Sequence, residues 1–342
     1  MTPAVSVLVP AHDDGAFLEA NLASLAAQTF ADFEAIVADD ASADATPEIA
    51  RAWAARDSRF RLSRLETNVG MNRNWNRALA EAAGELVIKL DADDAMTPRA
   101  LELLHTEHAR EPALLFAGCR TLDCDLELSV QGAFRGDAGF RMHGLDPEQR
   151  HVRRGLDWLR LCFDDVQLWH SCAQMYRRAD LVALGGWDER WIASDTDLIL
   201  RALALDRPVA HVPEAGILYR RRAGSSSHRE HGSGAARLEL NMIALRSLAA
   251  NHARLPPLGR PLRQNWWRLW RRFGADSHDT AAWNALPEPR REQLRRLERE
   301  TRPLRPPLVV RLEGELRQLA WRLRRPLRRK AAPPTSAGQE TS

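Results

Sequence analysis

Residues 87–96 read VIKLDADDAM, an apolar run that ends on three carboxylates, Asp91, Asp93 and Asp94. If the strand continues through them, residues two apart face the same way, so Asp91 and Asp93 project together while Asp94 points elsewhere. Two neighbouring carboxylates repel unless a cation lies between them. Hard divalent ions such as Mg2+ or Mn2+ prefer carboxylate oxygens and are commonly shared with substrate phosphates, so one reading of the cluster is a metal that anchors a diphosphate. The other is an acidic helix start, with Asp94 and Thr97 capping the helix that follows and favouring its positive end. Taken alone, these residues leave both readings open.

Other chemistry-bearing residues are weaker. His105 and His108 stand three apart in HTEH, which is not a zinc motif and reads as a surface pair. Cys119, Cys124, Cys162 and Cys172 include no CxxC and read as reduced, mostly buried thiols. His170, beside Trp169, is either an acceptor contact or ordinary strand packing. Neither GxxxxGK[ST] nor a strand-linked GxGxxG occurs, so kinase and dehydrogenase chemistry lack their phosphate loops. A nucleotidyltransferase would need a basic, glycine-rich triphosphate loop early in the chain, where this one has the acidic PAHDDGAF.

The surrounding pattern supplies elements to hold such a cluster. VSVLVP (5–10), FEAIVADD (33–40), FRLSRLE (60–66) and ELVIKLD (85–91) read as strands. Helices fall between them: Leu18, Leu22 and Leu25 recur at helical spacing, Thr46 caps a helix with Pro47 in its first turn, 71–84 is closed by Gly84, and Thr97–Pro98 repeats the cap-and-proline start. This alternation predicts an α/β fold, a mostly parallel sheet flanked by helices. Ligands of such sheets bind beyond the carboxyl ends of the strands. His12–Asp14, Asp39–Asp40, Asn68–Asn76 and Asp91–Asp94 should therefore crowd one edge. Residues 121–150 read as an irregular loop region. A helix at GLDWLRLCF, a strand at QLWHSCAQMY and a glycine turn at GGWDERW follow. The helix SDTDLILRALAL then starts at Ser194 or Asp195, with Leu198, Ala202 and Leu205 on one side.

At 342 residues, with 44% hydrophobic and 28% charged, the chain has the composition of a soluble globular protein. It divides into a domain at 1–225, a helical extension at 226–330 interrupted by LPPLGRP and LRPPL, and a loose tail at 331–342. No apolar run reaches the roughly 18 residues of a spanning helix, and the N-terminus lacks a signal-peptide pattern, so a cytoplasmic protein is expected. The net charge of +3 hides segregation: residues 301–330 hold ten Lys or Arg against two Glu, a net +8, leaving −5 elsewhere. Trp266, Trp270 and Phe273, then Leu312, Leu316, Leu319 and Leu323, fall at helical spacing among arginines. Such a helix either lies on an anionic membrane surface through 308–330, on the inner face of the membrane, or packs on the main domain. No nucleic-acid module accompanies the charge, and no nucleic-acid partner is expected.

The ordered motifs VSVLVPAHDDGAFLEANLASLAAQTFADFEAIVADDASADAT, NVGMNRNWNRALAEAAGELVIKLDADD and GGWDERWIASDTDLILRAL resemble those of the family 2 glycosyltransferases, over roughly residues 4–225. The resemblance implies a GT-A fold, a nucleoside-diphosphate sugar donor and inversion at the anomeric carbon. Carried onto this sequence, it places Pro10, Ala11 and His12 along the nucleotide, with Asp14 in the position of the usual acidic residue. Asp40 then approaches the base, which Asn68, Gly70 and Asn76 flank. Asp91 falls near the ribose, and Asp93 is the metal-binding end of the DxD motif, with Asp91 beside it and Mg2+ or Mn2+ as cofactor.

Asp195 takes the place of the general base, the alternative being a helix cap with Asp197 as a first-turn charge. Two departures stand out. Ser194 replaces the acidic residue that usually precedes the base, and YRRRAGSSSH offers Arg222 where many relatives have histidine. Histidine could ligate a metal, whereas arginine pairs with phosphate. Arg220 or Arg222 is accordingly expected to help neutralise the diphosphate under a serine-rich lid, unless the pair is an exposed basic edge. The implied activity is transfer from a nucleoside-diphosphate sugar, a UDP-sugar first, to a glycan or lipid-linked acceptor of a cell-surface polysaccharide. A catalytically silent, membrane- or partner-binding relative and a nucleotidyltransferase on a similar fold are the alternatives.

Overall fold

Val5, Val7 and Val9 face one side of the first strand and Leu8 the other, and all four are buried. A strand buried on both faces belongs in the middle of a sheet that helices cover on each side. The computed structural model, which describes residues 2–163, 168–222, 234–255, 267, 288–301, 311–312 and 315–316, has that arrangement. Among the described residues ten strands form one sheet: β1 (Val5–Ala11), β2 (Phe33–Asp39), β3 (Phe60–Arg64), β4 (Leu86–Lys89), β5 (Ala95–Met96), β6 (Phe116–Cys124), β7 (Val130–Ala133), β8 (His151–Arg154), β9 (Gln174–Arg177) and β10 (Pro208–Arg220). The order is β3-β2-β1-β4-β9-β6-β10-β5, with β7 on β6 and β8 on β10. Strands β1 to β4, β6 and β10 run the same way, and β9 lies antiparallel between β4 and β6.

The helices are α1 (Gly15–Ala26), α2 (Thr46–Arg56), α3 (Met71–Glu81), α4 (Ala100–Arg110), α5 (Arg135–Met142), α6 (Gly155–Cys162), α7 (Arg178–Ala183) and α8 (Ser194–Leu203), followed by Gly234–Asn251 and Glu288–Thr301. Leu18, Leu22, Leu25, Trp53, Leu101 and Leu104 from α1, α2 and α4 make the core on one face of the sheet. Trp75, Trp158, Trp187, Trp191 and Leu198, with Met242 to Leu248, make the core on the other.

The pairing of β1 explains where a ligand could enter. It pairs with β2 from Val5 to Ala11 but with β4 only from Val5 to Leu8, so beyond Leu8 the two central strands part. Pro10, which has no N–H to donate, comes after the last β4 partner. Chain order also reverses here, with β2 and β3 on one side of β1 and β4 on the other. Such a switch point leaves a crevice at the strand ends.

Several local expectations change. Gly84 does not close α3, which ends at Glu81; it lies flat against β1, where a Cβ would stand 2.6 Å from the Ser6 nitrogen and 2.8 Å from the Val5 carbonyl carbon. Thr46 and Thr97 are not caps by their hydroxyls: Thr46 accepts the Asp14 N–H, and Thr97 donates to the Ala215 carbonyl. Residues 121–150 hold the end of β6, the β6–β7 pairing and α5, which the fully exposed β7 concealed by lacking any apolar alternation. Leu205 lies past the end of α8 and is exposed, while Leu198 and Ala202 are buried.

In the basic extension, Leu312 and Leu316 are 51% and 66% exposed. Trp266, Trp270, Phe273, Leu319 and Leu323 lie outside the described residues, as does the serine-rich segment after Arg222. Among the described residues no helix is long and apolar enough to cross a membrane. Because Gly84 abuts backbone atoms that cannot turn aside, Gly84→Ala should lower the unfolding free energy by about 1–3 kcal/mol, read from the chemical-denaturation midpoint.

Candidate active site

Strand β4 ends at Lys89, and Asp91 to Asp94 form a turn closed by the Asp94 N–H on the Asp91 carbonyl (2.9 Å). The strand alternation that would set Asp91 and Asp93 side by side therefore does not apply, because the backbone has already turned. Asp91 meets the Lys89 ammonium (Oδ1–Nζ 2.6 Å), whereas Asp93 meets the Arg222 guanidinium (Oδ2–Nε 2.7 Å). Arg222 also reaches Asp14 Oδ1, at 3.1 Å, after the end of β1. The two carboxylates remain in one electrostatic neighbourhood: burial first, then the charges of Asp93 and Asp91, push the Asp14 carboxyl up to about 6, against the pull of Arg222 and the His12 N–H.

Asp94 is wholly buried and accepts the Arg220 N–H at 3.0 Å, with its second oxygen unpartnered. Burial, reinforced by Asp93 and Asp91, holds its carboxyl well above the usual range. Arg220 is turned inward, with its guanidinium on the carbonyls of Asp93 (2.8 Å) and Leu126. Of the two arginines, Arg222 is therefore the one whose guanidinium meets Asp93 and Asp14.

Asp195 stands on the first turn of α8 but does not cap it; its Oδ1 accepts the Trp187 indole N–H at 2.8 Å and its Oδ2 lies 3.8 Å from Lys89 Nζ. Ser171 also bonds to it. Burial raises its carboxyl above the ordinary range, Asp91 adding to this and Lys89 opposing it. Helix α3 fixes the loop that delivers it. Asn76 takes the Trp187 N–H (2.9 Å) and donates to the Trp187 carbonyl (2.8 Å), and Asn72 donates to the Trp191 carbonyl (2.6 Å) while accepting from Ser194 Oγ (2.7 Å). Both ends of the Asn76 amide are thus spent on the glycine turn. Ser194, in place of an acidic residue, supplies a hydroxyl to this clamp.

The opposite rim is built on Asp40. Its carboxylate accepts the Val69 and Gly70 N–H groups at 2.8 and 2.9 Å, which holds Gly70 at φ 92°, a conformation that favours glycine. That turn brings the Asn68 amide within 3.1 Å of His12 Nε2, while His12 Nδ1 lies 2.8 Å from the Asp40 carbonyl oxygen. Pro10 and Ala11 are buried at the end of β1 beneath this rim. His12, Asp14, Asp40, Asn68, Asp91, Asp93, Asp195 and Arg222 accordingly flank the β1/β4 crevice, with Arg220 behind it and Asn76 acting through Trp187.

Lys89, Trp75, Trp187, Asn72 and Ser171 were not singled out from the sequence. For Lys89 there was a signal: it is a cation inside the apolar run that becomes β4, two residues before Asp91. For the others there was none. The donor set at the crevice is carboxylate oxygen from Asp14, Asp91 and Asp93, which fits a hard divalent cation. A second trio, Asp94, His170 and Cys172, brings possible ligand atoms within 4.8 Å of one another. Burial lowers His170 to about 4 and raises the Cys172 thiol and the Asp94 carboxyl well above their usual ranges, so it disfavours the charged form of all three. The trio supports the turn from below, with the Asp91 N–H on Cys172 Sγ at 3.4 Å.

Comparison with known proteins gives the same picture. The model of the family described as Glycosyl transferase family 2 matches residues 6–179. The O-antigen biosynthesis protein RfbC of Myxococcus xanthus is 31% identical over 68% of this chain but only 17% of its own length. An uncharacterized protein of Sinorhizobium fredii, y4gI, is 28% identical over 78% of the chain and 28% of its own length, so the chain spans well under a third of both these relatives. A GalNAc(5)-diNAcBac-PP-undecaprenol beta-1,3-glucosyltransferase of Campylobacter jejuni is 35% identical over 54% of the chain and 68% of its own length. Among solved structures, S. aureus TarS 1-349 in complex with UDP-GlcNAc superposes with a TM-score of 0.59 at 20% identity, over 86% of this chain and 79% of that one. The mannosyltransferase PcManGT from Pyrobaculum calidifontis, in complex with GDP-Man and Mn2+, gives 0.52 at 18%, over 97% and 89%. The family model covers half of the chain, and the crevice between β1 and β4 carries the acidic motifs in the order noted above: this chain belongs to glycosyl transferase family 2 and has the GT-A type of fold.

Proposed function

We propose that this protein transfers a sugar, with inversion, from a nucleoside-diphosphate sugar to a hydroxyl of a glycan or lipid-linked acceptor, in the assembly of a cell-surface polysaccharide. The observation that carries this reading is the meeting of Asp14, Asp91, Asp93 and Asp195 with Lys89 and Arg222 where β1 and β4 part. The relative named for glucosyl transfer to an undecaprenol-diphosphate glycan supports the acceptor class. UDP-sugars are the donors to test first, with GDP-mannose as the comparison, since those nucleotides accompany the similar structures.

The chemistry follows from the carboxylates. The acceptor hydroxyl loses its proton to Asp195 as its oxygen attacks the anomeric carbon, and the bond to the diphosphate breaks on the opposite face. The raised carboxyl of Asp195 suits a base, and Trp187 and Lys89 fix its direction. Arg222 exchanges Asp93 and Asp14 for the oxygens of the leaving diphosphate, a pairing that its planar fork favours. Asp93, with Asp91, would hold a divalent ion, which when bound supplies Lewis-acid neutralisation of that diphosphate. His12 and Asn68 line the nucleotide side, on the turn that Asp40 holds.

The test is a panel of UDP-glucose, UDP-N-acetylglucosamine and GDP-mannose, scored by nucleotide release and thermal shift with and without Mn2+. If none binds in a metal-dependent way, the donor assignment is wrong. Asp93→Asn should abolish the Mn2+-dependent part of the thermal shift while leaving the unliganded protein folded. Asp195→Asn should lower turnover about 10^2- to 10^4-fold with donor affinity retained. The wild-type rate should fall on the acid side as Asp195 is protonated, on a limb above the ordinary carboxylate range.

Asp14 gives a stability prediction of definite sign. Its folded value of about 6 exceeds the ordinary 3.8, so in the folded state the proton is held more tightly than in the unfolded chain. The contribution of Asp14 to stability should therefore decline as pH rises from about 4 to about 6 and then level off. Asp14→Asn removes that loss, so at pH 8 it should be more stable than wild type by up to about 3 kcal/mol, a gap that closes below pH 4 in urea titrations.

A further inference from the structure

Lys89 has an unusual place for a cation. It is 3% exposed, in the central strand β4, and the chain brings three partners to its ammonium: Asp91 Oδ1 at 2.6 Å, Asp195 Oδ2 at 3.8 Å and the face of Trp75, with its ring centroid at 3.9 Å. Trp75 packs edge-on against Trp187 at 5.5 Å, and the Trp187 indole N–H returns to the other oxygen of Asp195. The four side chains close a ring: the ammonium is seated on one tryptophan, and the second tryptophan and the ammonium each address one oxygen of the base. A cavity of about 10 Å3, room for a single water, adjoins Lys89 and Asp195 and is lined also by Ser171, Gln174 and Tyr176.

A buried lysine that gained nothing from its neighbours would lose its proton. Here the ammonium is met by the carboxylates of Asp91 and Asp195 and by the face of Trp75. The groups facing Asp195 from the elements around it are Lys89 of β4, Asp91 of the following turn, Ser171, Tyr176 of β9 and Trp187. On its own helix, Asp197 is engaged by Arg201 at 2.6 Å. Lys89 is thus the cation addressed to this carboxylate, while Asp91 and burial both push it towards the neutral acid.

We infer that Lys89 is a positioning residue shared by the two halves of the site, one fixed ammonium that keeps Asp195 ionised and aimed while tethering Asp91 on the donor side. The inference rests on the reading of Asp195 as the base. Lys89 takes no part in bond making; it acts on the reacting hydroxyl only through the carboxylate. Without it, Asp195 would face Asp91 in a dry site with only neutral hydrogen-bond partners, and a larger share of the enzyme would hold the base protonated at neutral pH.

The experiment compares Lys89→Met, Lys89→Gln and Lys89→Arg with wild type and Asp195→Asn, using hydrolysis of UDP-glucose, UDP-N-acetylglucosamine and GDP-mannose with Mn2+ across pH 5–9. For Lys89→Met the acid limb should move up by about one pH unit or more, with kcat at pH 7 down about 10- to 100-fold and donor KM changed less. Lys89→Arg should restore the limb towards wild type. If Lys89→Met does not fold, Lys89→Gln, neutral but able to bond Asp91, is read in its place with the same expectation. A folded neutral variant whose limb coincides with wild type, while Asp195→Asn is inactive, overturns the role of Lys89 and leaves the base intact. Near-normal hydrolysis by Asp195→Asn overturns the base, and this inference with it.

Discussion

Five carboxylates, Asp14, Asp91, Asp93, Asp94 and Asp195, converge where β1 and β4 separate, and at close range in a poorly solvated crevice such charges repel strongly. The structure resolves that repulsion by three different devices. Arg222 lies between Asp14 and Asp93, Lys89 lies between Asp91 and Asp195, and burial favours the neutral form of Asp94. Burial first, with the charges of Asp93 and Asp91 added, raises the carboxyl of Asp14. A crevice in which two cations, Lys89 and Arg222, face four carboxylates is suited to draw in a divalent ion with its diphosphate, as the proposed function requires.

The fold makes this concentration of charge possible by keeping the supports rigid. Asp14, Asp91 and Asp93 follow the ends of central strands that are buried on both faces, and Asp195 starts a helix whose entry loop is gripped by α3. Asn72, Trp75 and Asn76 stand at helical spacing and all turn towards the loop between Trp187 and Ser194. The antiparallel strand β9 between β4 and β6 matters for the same reason: the turn that leads into it carries Ser171 to Asp195 and Cys172 beneath Asp91. Asp91, and Ser171 that bonds to Asp195, are therefore mounted at the ends of neighbouring strands, with Lys89 bridging the two carboxylates.

Much of this was legible in the chain. The four leading strands, their cadence with helices and the crowding of polar clusters at one edge follow from apolar runs and turn residues, whose local preferences agree with the final fold. The ordered motifs placed Asp14, Asp40, Asp91, Asp93 and Asp195 around a single crevice. The region after β6 was not legible, since β7 is exposed along its whole length and carries no alternation to read. The environment of Asp91 and Asp93 was misjudged because a strand rule was extended past the point where the backbone turns.

Sequence by itself determined the fold class, the family and the residue types available for chemistry, because these depend on periodicity and on motifs contiguous in the chain. Only the tertiary structure decided which cation serves which carboxylate. Arg222 meets Asp14 across 208 positions of sequence, Asn72 reaches the Trp191 carbonyl across 119, and the ring of Lys89, Trp75, Trp187 and Asp195 joins three separate elements. Such pairings depend on distance and solvent exclusion, and no local pattern encodes either one; both arise when the sheet and the two layers of helices close around the crevice.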